Sequence, residues 1–153
     1  GDIYTLNLAD PWHGHFNIID TSLDTVVYTM QTVYAYGKIA ISPDGREIYM
    51  TDPGHPLFGY PTNGYIYVFD AQKRNIKDVI PPILYPSCEP TYYRWRGNVI
   101  PTPDSRRLYV GCGYQGAAGP VYVVDLLIYK IIGTICLHEE TAIYEIITMG
   151  PVP

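Results

Sequence analysis

The chain has 153 residues, one domain's worth of sequence. It is 47% hydrophobic and 16% charged, which excludes a disordered segment. A net charge of −5 gives no support for binding nucleic acid or an anionic membrane.

No window carries the i, i+3, i+4, i+7 apolar stripe of an amphipathic helix. Segments rich in Val, Ile, Tyr and Thr, punctuated by Gly, Pro and Asp, predict strands instead. In chain order these lie around Ile3-Tyr4, at Gly14–Asp20, at Thr25–Met30 and at Lys38–Ser42. Lys38–Ser42 runs into a Pro43-Asp44-Gly45 turn. The next four lie around Ile48-Tyr49, at Gly64–Asp70, at Ile76–Ile80 and at Asn98–Thr102, which meets Pro103-Asp104-Ser105. Strands around Leu108-Tyr109, at Gly119–Asp125 and at Lys130–Ile135 follow, with a less regular one at Tyr144–Thr148.

The order repeats. Asp20, Asp70 and Asp125 each end a strand that opens with Gly, and they are 50 and 55 residues apart. The reading gives them the role of capping the next turn through backbone N–H groups, not catalysis. Four antiparallel strands at that period predict the blades of a β-propeller, all-β, with repeats at about 1–45, 46–105 and 106–153. With strands lettered A to D outward from the ring axis, the chain reads B-C-D, A-B-C-D, A-B-C-D, A. Propellers have about 4–8 blades, so three form an arc of a larger ring. Remaining blades, a second chain or a homo-oligomer is the expected partner. Two copies would give six blades, each terminal A strand completing the other's first blade.

The B–C and D–A loops share one face: about Asn7–His15, Asp52–Asn63, Cys112–Gly119, Gln31–Gly37, Pro81–Gly97 and Cys136–Ile143. All four histidines, both tryptophans and all three cysteines fall there, so this face is the candidate site. Trp12 and the run Tyr92-Tyr93-Arg94-Trp95-Arg96 are the candidate ligand- or partner-binding residues, because aromatics interleaved with Arg stack on planar groups and anchor proteins. The alternative is a loop that packs its aromatics over the neighbouring blade. His13, His15 and His55, beside Asp10-Pro11 and Asp52-Pro53, could ligate a metal ion; the plainer reading is turn-forming Asp-Pro with exposed histidines. His138-Glu139-Glu140 reads as a solvated loop rather than an acid–base group. No catalytic residue and no resident cofactor other than that metal ion is expected. The opposite face has short turns with ordinary charges such as Arg46, Lys73, Arg74 and Arg106.

Cys88, Cys112 and Cys136 form no CxxC. A Cys88–Cys112 disulfide would staple the long loop to a blade, with Cys136 as an alternative partner and buried thiols as the other option. The apolar run Val121–Cys136 is broken by Asp125 and Lys130, so no membrane span is expected. The start at Gly1 without a signal-type segment suggests a mature or excised piece. Low charge and disulfide chemistry point to an extracellular or periplasmic location.

Ile39 to Met50, followed by Gly64 to Asp70, resembles a YVTN-type β-propeller repeat across nearly the whole chain. The long loops before Tyr65 and after Ile80 also resemble the heavy-subunit propeller of methylamine and aromatic amine dehydrogenases. That resemblance implies a periplasmic scaffold whose tryptophan-derived quinone lies in a separate small subunit. The leading expectation is a non-catalytic scaffold or binding module of a secreted or surface assembly, docking a partner through the His/Trp/Cys face. The alternatives are a propeller subunit of a periplasmic oxidoreductase and a metal-dependent enzyme using the loop histidines.

Overall fold

The computed structural model describes residues 1–8, 14–32, 37–51, 65–81, 99–114 and 117–136, and the regular elements among them are all β-strands. Sheet 1 is β1 (Asp2–Leu8), β2 (Gly14–Asp20) and β3 (Thr25–Thr32). Sheet 2 is β4 (Ile39–Ile41), β5 (Glu47–Thr51), β6 (Ile66–Asp70) and β7 (Asn75–Ile80). Sheet 3 is β8 (Val99–Pro101), β9 (Arg107–Tyr114), β10 (Ala117–Asp125) and β11 (Lys130–Ile135). Within each sheet the strands follow chain order and every neighbouring pair is antiparallel.

The three sheets share one register. Asp2, Glu47 and Arg107 lie opposite Asp20, Asp70 and Asp125, which in turn lie opposite Thr25, Asn75 and Lys130. The same bulge recurs two residues before each of these aspartates: at Ile18/Ile19, Val68/Phe69 and Val123/Val124. It leaves Val27, Lys77 and Ile132 as the extra residue on the outer strand.

Alternation then decides burial. On β5, Ile48 and Met50 point one way and Tyr49 the other. Ile48, Met50 and Phe69 of sheet 2 pack with Phe16 and Ile18 of sheet 1. Tyr49, Ile66, Val68 and Ile80 pack with Val99, Leu108, Val110, Tyr122, Val124 and Ile131 of sheet 3. Sheet 2 is therefore covered on both faces, and sheets 1 and 3 each bury one face against it. Phe16 anchors the first interface, edge-on to Phe69 at 4.9 Å and fully buried. Burying such a ring stabilises by about 2–3 kcal/mol.

The turns repeat too. Ser42 donates to Asp44 (2.6 Å) and accepts from the backbone N–H of Arg46 and Glu47 (3.1 and 2.9 Å). Thr102 donates to Asp104 (2.5 Å) and accepts from Arg107 N–H (3.0 Å) in the same way. The turn then needs a left-handed residue, supplied by Gly45 (φ 72°) in one and Ser105 (φ 56°) in the other.

Some elements differ from the sequence reading. The segment read as a loop at Cys112–Gly119 is mostly strand: β9 runs to Tyr114 and β10 starts at Ala117. No Pro or Asp interrupts it before Pro120, so ladder pairing continues through Gly113–Ala118, at the cost of a register shift before Val121. Gly64, Asn98 and the strand read at Tyr144–Thr148 lie outside the described residues. No helix among the described residues is long and apolar enough to cross a membrane.

Candidate functional site

The loop face is the place to look first. Trp12, His13, His55, Cys88, Tyr92, Tyr93, Arg94, Trp95, Arg96 and His138 lie outside the described residues. His15 is in β2, half-buried, opposite Asn7 and Gln31. Cys112 is in β9, and nothing is described of its side chain. Among the described residues no group of three or more His, Cys, Asp or Glu could hold a metal ion.

Cys136 is disulfide-bonded. It is the cysteine that the sequence reading kept as the alternative partner, and the side chains of Cys88 and Cys112 lie outside what is described.

The best-defined polar cluster is on the other face, between sheets 2 and 3. Glu47 opens β5 immediately after the Pro43-Asp44-Gly45 turn. Its carboxylate accepts from Tyr129 Oη (2.6 Å), from Tyr49 Oη (2.9 Å) and from Lys77 Nζ. Lys77 Nζ also lies 5.1 Å from the centre of the Tyr129 ring. Each residue reaches the cluster for a local reason. Lys77 is the bulged residue of β7. Tyr129 ends the turn after β10 in the left-handed conformation (φ 48°), which aims it back at sheet 2.

The electrostatics fix the protonation of this cluster. Burial pushes the Glu47 carboxyl up, but its donors Lys77, Tyr129 and Tyr49 more than offset that and hold it below the usual value. Burial, then the hydrogen bond to Glu47, pushes the Tyr49 hydroxyl well above its ordinary value. The hydrogen bond to Glu47, then that to Tyr129, raises Lys77. An ionised acid, a neutral phenol and a charged ammonium persist across physiological pH. Such a set ties sheet 2 to sheet 3.

A solvent-open cavity of about 470 Å³ flanks the cluster, lined by Ser42, Arg46, Asp70, Ser105, Leu127 and their neighbours. Three aspartates of this face are engaged in turns. Asp70 accepts from the N–H of Gln72 and Lys73 (3.0 and 2.8 Å), and Asp20 from the N–H and hydroxyl of Ser22 (2.8 and 2.6 Å). Asp125 accepts from Leu127 N–H (2.8 Å). The expected capping role of these aspartates is what the structure shows. The Glu47 cluster itself was not expected. Its only trace in the sequence is an acid at the position where the other repeats carry Asp2 and Arg107.

No protein-family profile and no curated protein sequence matches the chain. Solved structures do. Hydrazine synthase of Kuenenia stuttgartiensis matches with a TM-score of 0.59 at 17% identity, over 82% of this chain and 30% of that one. The dihydro-heme d1 dehydrogenase NirN matches with a TM-score of 0.59 at 16% identity, over 86% and 24%. The WD40 repeats of RRP9 match with a TM-score of 0.61 at 12% identity, over 90% and 36%. At these identities the likeness is one of fold: the three sheets are blades of the propeller type. The chain spans about a quarter to a third of the lengths of the proteins it matches.

Proposed function

We propose that this chain is a non-catalytic propeller scaffold that docks a partner through its loop face. The observation that carries the reading is the fate of the acids. Glu47 is locked by three donors, and Asp20, Asp44, Asp70 and Asp104 are held below their ordinary pKa by hydrogen bonds within turns. Glu47 ties two blades and the four aspartates hold turns within a blade, whereas general acid–base work needs a carboxyl whose pKa approaches the working pH. Trp12, Tyr92, Tyr93, Arg94, Trp95 and Arg96 are the docking residues in this reading, with the blades as their rigid support. Additional blades or partners cover the outer faces of the arc. The Cys136 disulfide supports an oxidising setting, extracellular or periplasmic.

A second reading, the propeller subunit of a periplasmic oxidoreductase, draws on the YVTN-type and amine-dehydrogenase-like loop pattern and the same disulfide. Native mass spectrometry of the assembly from its natural source, with its absorption spectrum, separates the two. The scaffold reading expects a partner polypeptide, lost on Trp12→Ala or Trp95→Ala, and no chromophore. A quinone or haem on the partner selects the second reading. A metal or organic cofactor bound by this chain itself overturns both.

A further inference from the structure

The cavity beside the Glu47 cluster has binding capacity that the blade contact does not use. Numbering the blades as the sheets, it lies between blades 2 and 3, and every residue lining it is among the described residues. It is inside the arc, so it is the same whatever completes the ring. Its volume of about 470 Å³ falls in the range of ligand pockets, about 300–1,000 Å³. Its acids are spent. Both oxygens of Glu47 are taken by its three donors. Asp44 accepts from the Ser42 hydroxyl and from Arg46 N–H (2.6 and 3.1 Å), and Asp70 from the two turn N–H groups of Gln72 and Lys73. Its donors are not spent. The Arg46 side chain is 73% exposed and meets Asp44 only through Nε at 3.8 Å, which leaves most of its five N–H groups open. Lys77 is still 43% exposed. The Gln72 amide and the Ser105 hydroxyl make no side-chain hydrogen bond among the described residues, and both line the cavity.

The apolar part of the wall is exposed without a structural need. Leu126 is buried, but Leu127 lines the cavity and is 77% exposed, and Ile128 beside it is 56% exposed. The same two turn positions, two and three residues after the capping aspartate, hold Ser22 and Leu23 in blade 1 and Gln72 and Lys73 in blade 2. The turn therefore forms equally well with polar residues there. The charge around the cavity is also distinct. Residues 42–47, 70–77, 102–107 and 125–130 hold seven of the ten Lys and Arg and only five acids, in a chain whose net charge is −5. The turn face of blades 2 and 3 is thus a positive patch on an acidic chain, and it attracts anions. The three ionised acids in the wall oppose a dianion more than a single charge, so a carboxylate suits the site better than a phosphate.

We propose that this cavity docks an acidic peptide segment of a partner protein, its carboxylate on Arg46 and Lys77 and an adjacent apolar side chain on Leu127. The guanidinium fork matches a carboxylate, and the exposed leucine supplies the apolar contact that gives a charged encounter its hold. This is a second docking face, opposite the loop face. It goes beyond the scaffold reading and does not depend on it.

Fluorescence anisotropy with a labelled peptide of alternating Glu and Leu, amidated at its C-terminus, tests it. The peptide should bind, and Arg46→Glu and Leu127→Asp should each weaken it by about tenfold or more. Both side chains are largely exposed, so both variants should keep the circular dichroism of the wild type. Binding should also weaken as salt is raised from about 50 to about 200 mM. The same peptide with Lys in place of Glu should bind at least about tenfold more weakly. No binding of the Glu-Leu peptide, equal binding of the Lys-Leu peptide, or indifference to both substitutions overturns the proposal. Displacement by inorganic phosphate as readily as by unlabelled peptide overturns it too, because the site would then take a small anion only. Any of these leaves the scaffold reading, which rests on Trp12 and residues 92–96 of the loop face, untouched.

Discussion

Replacing Glu47 by Ala removes one acceptor from three donors at once. Tyr49 is fully buried, and its hydroxyl would be left without the carboxylate it bonds, at about 1–3 kcal/mol. The Tyr129 contact is a hydrogen bond to a charged group and contributes about 1.5–3 kcal/mol. The Lys77 side chain is 43% exposed, so its pairing adds at most about 1 kcal/mol. Allowing for relaxation, Glu47→Ala should destabilise the chain by about 3–5 kcal/mol. Glu47→Gln, which keeps an acceptor oxygen and the shape, should cost about 1–2 kcal/mol. Urea unfolding at neutral pH measures both. The acid dependence is a second reading of the same geometry. The Glu47 carboxyl is held below its unfolded value of 4.5, so its contribution is complete above that value and is lost as pH falls through the lower folded value. Wild type should therefore lose more stability than Glu47→Ala between about pH 5 and about pH 3. A cost under about 1 kcal/mol for Glu47→Ala, or parallel acid profiles for the two proteins, would refute the reasoning.

The turns and the first interface give further tests. Ser105 occupies the left-handed position that Gly45 fills in the preceding turn, so Ser105→Gly should stabilise by about 0.5–1 kcal/mol, raising Tm by about 2–4 °C in a thermal melt. Gly37 meets the edge of β5 so closely that a Cβ would lie 1.7 Å from the Thr51 carbonyl oxygen. Gly37→Ala must displace backbone and should cost about 3 kcal/mol by urea unfolding; a neutral result would mean the close approach is not there. Phe16→Ala empties the centre of the cluster made with Phe69, Tyr4 and Tyr28, and should cost about 3–5 kcal/mol on the same assay.

The repeat was legible because its punctuation is chemical. Asp20, Asp70 and Asp125 each cap the turn that follows, and a residue with that duty is easy to align by eye. Strand alternation then follows from which residues must be buried. The β9–β10 hairpin was underestimated because Gly113, Ala117 and Ala118 have little strand preference of their own and depend on their neighbours for pairing. The Glu47 cluster was barely legible. Its partners lie 30 and 82 residues away, and each looks like an ordinary surface charge or one of many tyrosines. Lys77 reaches Glu47 only because a bulge turns it out of alternation, which no period-two pattern can anticipate.

Backbone strain separates the positions that carry an interface from those that do not. Five left-handed residues appear among the described turns: Asp24, Gly45, Arg74, Ser105 and Tyr129. A side chain there costs about 1–2 kcal/mol relative to an unstrained conformation. In the turn between the first and second strands of a blade, Gly45 avoids that cost in blade 2, and a Cβ there would meet nothing within 4 Å. In the turn between the third and fourth strands, glycine is used in none of the three blades. Tyr129 offsets its strain through Glu47. Asp24 adopts the same conformation with an exposed side chain, and an aspartate tolerates it at less cost than Arg or Tyr because its short polar side chain bonds locally.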